Sequence, residues 1–422
     1  MKTKFLVSIF LSTLWLIISL SLAISWAQEI SYFLPIFYIW WTIIGVALLP
    51  GFLMSCMFFS NLLNGKLKSY HDTCEDTTII MCARNEGGSI SKAIECIFQQ
   101  KYLGNIRLII IDNVSTDNTK QEIFKMKKFL TSKCSLEYVI CDKLGKWNAL
   151  NLGLSMVKTP HFLTVDADTF LTQTAVQKIM NSITFHNSAC TAGNLFVKNS
   201  KTSLMCKMQH YDYLLSIAAV KRFQGSYNST LVAQGSFSAY DTKAIKELGG
   251  WKDFMGEDIV LTYEILEKNL SSTYESQAIA YTLVPEELNS FYNQRKRWAI
   301  GMLEGLFFAP PWKQGTVYSK YFTFTNLSVL YLDFAFLFGF IPGIVLAFCG
   351  CFYFAGFLTL INLINFLLIF TSFYIYQKGT GAYFENDILG FIFFLLFFQF
   401  IQSTASLHGY IVWLMHKKEQ WK

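Results

Sequence analysis

Apolar and polar residues alternate in three different regimes along this chain, and each regime predicts a different kind of element. Residues 5–26 and 33–59 are almost unbroken apolar runs. Each is long enough for a bilayer-crossing helix, which needs roughly 20 apolar residues. They predict a transmembrane hairpin with a short outer loop near 28–32. A cleavable signal peptide competes for the first run, because Ser25-Trp26-Ala27 could serve as a cleavage site. Its apolar core, however, exceeds the about 7–15 residues usual for a signal. From about residue 69 to 320 the pattern changes. Short apolar runs at 77–82, 107–111, 136–141 and 161–165 read as buried strands, and amphipathic runs at 91–100, 119–130, 146–157 and 174–185 read as helices. Such alternation predicts an α/β unit, a mostly parallel sheet with helices on both faces. Beyond 321 the chain is apolar again. Residues 322–376 are long enough for two spans turning near 350–356, residues 377–387 form a polar loop, and 388–414 are long enough for a third. The expected units are therefore a hairpin at 1–68, a globular domain at 69–320 and C-terminal helices at 321–422.

Charge orients the membrane segments. Lys2 and Lys4 precede the first run, Lys66 and Lys68 follow the second, and only Glu29 lies in the loop between. Positive residues prefer the cytoplasmic side, so the segment after Lys68 is expected in the cytosol. Five spans put the C-terminus outside, whereas Lys417-Lys418 prefer the inside; one C-terminal segment lying on the surface resolves the conflict.

Composition agrees with this division. Of 422 residues 53% are hydrophobic and 15% charged, against about 45–50% apolar in soluble domains. The net charge of +6 suits an anionic ligand or an anionic bilayer surface. No long Lys/Arg run with interleaved aromatics occurs, which argues against nucleic acid. Ten scattered Cys without a CxxC pair read as reduced thiols, and six His without HxxxH or HExxH spacing give no zinc site.

Open parallel sheets bind ligands beyond the C-terminal ends of their strands. Four successive predicted strand ends carry polar loops: Arg84-Asn85-Glu86, Asp112-Asn113, Gly145-Lys146 and Asp166-Ala167-Asp168. Asp166 and Asp168 follow a very apolar run, and two carboxylates so spaced can hold one Mg²⁺ or Mn²⁺ that bridges phosphate oxygens. The plain alternative is a solvated turn with a helix-capping Asp. Lys146 opens a helix, where free backbone N–H groups and an ammonium suit a diphosphate; a surface lysine is the alternative. Glu257-Asp258 sits at a predicted helix start, as a dipole-favoured cap or as a general base for an acceptor hydroxyl, and spacing leaves both open. Gln294-Arg295-Lys296-Arg297-Trp298 is the sharpest signal. Arg297 can clamp phosphate with its fork of donors and Trp298 can stack on a sugar ring, whereas a basic patch on lipid headgroups is the plain reading.

In this order and with these gaps, Asp112, Asp166-Ala167-Asp168, Glu257-Asp258 and Gln294–Trp298 resemble glycosyltransferase family 2. The match is to its processive membrane branch of poly-N-acetylglucosamine, hyaluronan, chitin and cellulose synthases. Residues 192–194, 232–237 and 284–288 add to the likeness, which covers roughly 77–306. The resemblance implies a GT-A (Rossmann-like) fold and transfer with inversion at the anomeric carbon. It implies Arg84, Asn85, Glu86 and Asp112 at the uridine, Lys146 at the diphosphate, and Asp166 and Asp168 on donor and metal. Asp258 would be the base beside Glu257. Arg297 would steady the donor diphosphate, and Gln294, Arg295 and Trp298 the acceptor. Asn113 departs from the synthases, which often carry a second acid there. The first motif reads Ala-Arg-Asn-Glu, and 310–320 lies only in about the place of a gating loop.

The expected activity is polymerisation of a UDP-sugar, with N-acetylglucosamine the sugar implied, at a plasma or inner membrane. An accessory membrane subunit is left open as a partner. Non-processive transfer to a lipid acceptor, such as a polyprenyl phosphate or ceramide, is the second reading. A protein that only binds nucleotide-sugar is the third, disfavoured because every expected carboxylate is present.

Overall fold

A computed structural model describes residues 1–361, 363, 364, 367, 370 and 387–415. Among these, eight strands form one sheet: β1 Thr77–Ala83, β2 Ile106–Asp112, β3 Cys134–Ile140, β4 His161–Val165, β5 Thr169–Leu171, β6 Cys190–Val197, β7 Phe237–Asp241 and β8 Ser272–Thr282. Their order is β3-β2-β1-β4-β7-β6-β8-β5. The first four are the strands expected from the apolar runs. β1 pairs in parallel with β2, from Thr77 opposite Ile106 to Ala83 opposite Asp112, and on its other edge with β4.

The sheet is mostly parallel, as the alternation predicts, with antiparallel pairings added in its second half. β7 runs antiparallel between β4 and β6, and β5 antiparallel on β8, while β6 and β8 are parallel with an irregularity between Ala192 and Asn194. β1 is buried along its whole length, as a central strand covered on both faces must be. Successive side chains point to opposite faces. Ile79 and Met81 join the core under Ile94, Ile97, Ile179 and Ile183, while Ile80 joins Leu150, Leu154, Trp251 and Ile265 on the other side. The chain departs from β1 towards β2 on one edge and returns at β4 on the other, so the crevice beyond their C-terminal ends is a topological switch point. All four polar loops open into it.

Among the described residues, four helices are long and apolar enough to cross a membrane: Lys2–Ile30, Ile36–Leu63, Val317–Phe348 and Ile388–Leu414. The first two form the expected hairpin, with Pro35 starting the second. After Val317–Phe348 the chain turns at Gly350 (φ 89°) and Gly356 (φ 146°), where the turn was expected and where only glycine tolerates such angles. The rest of the second C-terminal span expected in 322–376, nearly all of the 377–387 loop, and Lys417-Lys418 lie outside the described residues. The hairpin is tied to a helix running from Leu204 to Gly225 through a π-helical segment, Tyr213–Ala219. Asn61 Nδ2 donates to the Ala219 carbonyl at 3.0 Å. The Phe5 ring meets those of Tyr227, Tyr318 and Tyr321 edge-on at 5.0–5.2 Å.

Candidate active site

The loops after β1 and β2 are laced together before any ligand arrives. Asn85, in a left-handed conformation (φ 58°), donates its backbone N–H to Ser115 Oγ at 3.0 Å and accepts from Thr116 N at 2.8 Å. Glu86 accepts from Ser89 Oγ at 2.7 Å. Arg84 stands half-buried at the end of β1. Asp112 is buried and accepts from Ser115 N at 2.9 Å and Tyr138 OH at 2.6 Å. Asn113 accepts from Gly145 N at 2.9 Å and donates to the carbonyls of Cys141 and Lys143 at 3.1 and 2.7 Å. A carboxylate accepts only, so it could not make the last two bonds. That is a physical reason for asparagine at this position.

Gly145 (φ 122°) caps the helix Lys146–Met156 and turns Lys146 into the crevice. Its ammonium lies 2.8 Å from Asp166 Oδ1 and 3.8 Å from Glu257 Oε1. Burial opposes that charge, but Asp166 and Glu257 outweigh it and hold Lys146 protonated. A Cβ on Gly235 would stand 3.1 Å from Lys146 Nζ, so the glycine leaves room for the lysine. Gly235 N also donates to Asp258 Oδ2 at 3.1 Å, and Ile259 N to Asp258 Oδ1 at 2.9 Å. Asp112, Lys146, Asp166, Glu257 and Asp258, far apart in sequence, thus stand on neighbouring loops of one crevice.

The crevice is rich in acid. Burial, with Asp166 and Glu86 adding to it, pushes the Asp168 carboxyl up to about 7. Burial likewise pushes Glu257 up to about 8, against the pull of Lys146. Among the described residues no group of three or more His, Cys, Asp and Glu could by itself hold a metal ion. The two hard carboxylates of the DxD turn still fit a Mg²⁺ or Mn²⁺ ion whose other ligands are phosphate oxygens and water.

Helix Glu257–Glu267 meets helix Leu288–Phe308 where Gly256 faces Gly301, and a Cβ on either would lie 2.5–2.7 Å from the other's Cα. Gly256 N donates to Glu304 Oε2 at 3.0 Å. Gln294, Arg297 and Trp298 share one face of the second helix by their i, i+3, i+4 spacing, and Trp298 is exposed. Arg295 behaves otherwise. The sequence places it at the acceptor; its side chain is 3% exposed, and the guanidinium pairs with Asp212 at 2.7 Å. Asp212 and Glu304 escape sequence reading because neither lies in a local motif.

A mixed, mostly parallel sheet with a DxD turn at its switch point defines the GT-A fold. The solved mannosyltransferase PcManGT from Pyrobaculum calidifontis, in complex with GDP-Man and Mn²⁺, aligns with 87% of this chain and 99% of its own at a TM-score of 0.54. At 15% identity the likeness is one of fold. Residues 78–249 match the family model described as glycosyl transferase family 2. The poly-beta-1,6-N-acetyl-D-glucosamine synthase of Staphylococcus aureus (strain MSSA476) is 29% identical over 244 residues, 57% of each chain. That of Staphylococcus epidermidis is 27% identical over 238 residues, 56% of each. The chain thus matches little more than half the length of these curated relatives.

Proposed function

We propose that this chain is a membrane-bound, inverting glycosyltransferase that moves N-acetylglucosamine from its UDP-sugar to a growing polysaccharide. The observation that carries the reading is the Lys146 ammonium set between Asp166 and Glu257, which gathers the DxD turn and the Glu257-Asp258 helix start around one charge. In the reaction Asp258 accepts the proton of an acceptor hydroxyl. The freed oxygen attacks the anomeric carbon, the bond from that carbon to the diphosphate oxygen breaks, and UDP leaves with the electron pair. Lys146 and Arg297 steady the charge that develops on the diphosphate. A divalent ion on Asp166 and Asp168 supplies Lewis-acid stabilisation of the same oxygens when bound. Arg84, Asn85, Glu86 and Asp112 shape the uridine site, and Gln294 and Trp298 hold the acceptor sugar. Sequence similarity to the two staphylococcal synthases supports the sugar and the polymer.

One observation favours a second reading, a single transfer to a lipid acceptor. Phe291 of the acceptor helix packs on Phe398 of the apolar helix Ile388–Leu414, with ring centroids 5.9 Å apart, so that helix lies against a candidate membrane span. The test is UDP release by the full chain in lipid, with UDP-N-acetylglucosamine, UDP-glucose or UDP-glucuronic acid and Mg²⁺ or Mn²⁺, followed by sizing of the product. A long chain from UDP-N-acetylglucosamine is expected. Release should stop with a chelator and return with the metal. A short lipid-linked product moves the assignment to the second reading, and no release with any donor removes both.

A further inference from the structure

The buried pair between Asp212 and Arg295 sits at a joint between three parts of the molecule. Asp212 ends the helical stretch Leu204–Asp212, immediately before the π-helical segment Tyr213–Ala219. On one side this stretch holds the start of the membrane helix Ile388–Leu414: Lys207 Nζ lies 2.8 Å from Asp387 Oδ2, and the Tyr211 hydroxyl donates to the Asp387 carbonyl at 2.5 Å. On another side Tyr213 packs in the same core cluster as Ala167, the middle residue of the DxD turn. Tyr213 also lies against the Trp298 ring, centroids 6.4 Å apart. Between them, Arg295 lies among three rings, with its guanidinium carbon 4.2 Å from the centroid of Trp298, 4.7 Å from Phe291 and 5.4 Å from Phe398.

The pair is not arranged for stability alone. Nε and Nη2 of Arg295 are buried without a hydrogen-bond partner among the described residues. A buried ion pair with unmet donors adds little or nothing over apolar side chains of the same size. What it fixes is geometry: a planar cation has one place between a carboxylate and stacked rings.

We propose that Asp212 is a positioning residue which, through Arg295, sets Trp298 over the DxD turn and locks that setting to the membrane helix carrying Phe398. Arg295 then acts behind the acceptor platform, and Asp212 touches neither donor nor acceptor. The proposal rests on the transfer reaction above, with Trp298 as the acceptor's stacking face.

The experiment compares the full chain in lipid with Asp212→Asn, Arg295→Lys and Phe398→Ala. Four quantities are read: UDP affinity, donor and acceptor dependence of turnover, thermal midpoint, and amide hydrogen exchange. A misplacement of about 1 Å costs up to about a hundredfold in rate. Asp212→Asn and Arg295→Lys are therefore expected to lower acceptor-dependent turnover about ten- to a hundredfold with UDP affinity unchanged. Phe398→Ala, which removes a ring behind Arg295, should lower the same parameter in the same direction. Hydrogen exchange needs no substrate and should quicken in 213–219 and 288–308 in all three variants. Unchanged turnover and exchange in Asp212→Asn overturn the proposal. So does a parallel loss of UDP affinity and midpoint, which is the mark of general destabilisation. If the unsubstituted chain releases no UDP from any donor, the transfer reading fails, and exchange in 288–308 still decides whether the joint exists.

Discussion

Glu257 and Asp258 are adjacent in sequence and opposite in circumstance. Glu257 is buried beside Lys146, while Asp258 keeps two backbone N–H donors that hold its carboxylate in place. That fixed acceptor is what a general base needs, so Asp258→Asn is expected to cut sugar transfer by about 10²–10⁴-fold with UDP affinity retained. Release assays and calorimetric titration of UDP check it, and unchanged turnover would remove Asp258 from the mechanism. Glu257 makes a separate prediction. Its carboxyl rises from an ordinary 4.5 to about 8 on folding. The folded chain therefore binds more protons than the unfolded one between those values, and stability falls as pH rises through that window. Glu257→Gln keeps the shape without titrating. In metal-free buffer its thermal midpoint relative to the unsubstituted chain should climb between pH 5 and 8.5, by roughly 2–4 °C if about 1 kcal/mol is at stake. A constant difference across that range would show that the buried carboxyl does not ionise on the way.

At the scale of elements, the site depends on a crossing that admits no side chain. With Gly256 and Gly301 back to back, Gly301→Ala must push helix Leu288–Phe308 off the Glu257–Glu267 helix. Overpacking of this kind costs about 1–3 kcal/mol. A lowered midpoint and a raised acceptor KM are expected together, and a silent substitution would mean the helices are free to slide. The same scale explains what could be read in the sequence. β1, β2 and β4 were legible because strands covered on both faces must be apolar throughout. β5 to β8 were not. β6 carries Thr191, Gly193 and Asn194, and β8 carries Glu275 and Gln277, buried or half-buried residues placed by distant partners, such as the Ser276 carbonyl that accepts from Asn194 Nδ2. β7 enters antiparallel, which no local pattern announces. The carboxylates of the site were legible because their chemistry is written in contiguous motifs. Asp212 was not, because all that marks it is a guanidinium 83 positions later in the chain. Arg295 shows the complementary limit: the motif names the residue but not its buried partner.

For the molecule as a whole, the question is how four apolar helices hold a register that the catalytic domain can use. Apolar faces alone give little registry in lipid, where tails are as apolar as leucine. Between the two C-terminal helices a polar cluster supplies it. Asp333, in the middle of Val317–Phe348, accepts from Ser403 Oγ and Tyr410 OH of Ile388–Leu414, each at 2.7 Å. Gln399 donates to the same Ser403 at 2.8 Å. A carboxyl inside an apolar span is costly and is kept where a partner requires it. It also bears on the site, because the helix that carries Ser403 and Tyr410 carries Phe398 behind Arg295. Asp333→Ala leaves two hydroxyls without their acceptor and should weaken the helix pair by about 0.6–2 kcal/mol. The expected outcome is a lower unfolding midpoint in lipid, with sugar transfer falling and UDP affinity held, since the loops proposed for uridine hang on β1 and β2. Asp333→Asn retains one acceptor oxygen and should fall between the two. If Asp333→Ala melts and turns over like the unsubstituted chain, the Asp333 contacts do not set the register of this helix pair, and that register has no hold on the proposed acceptor platform.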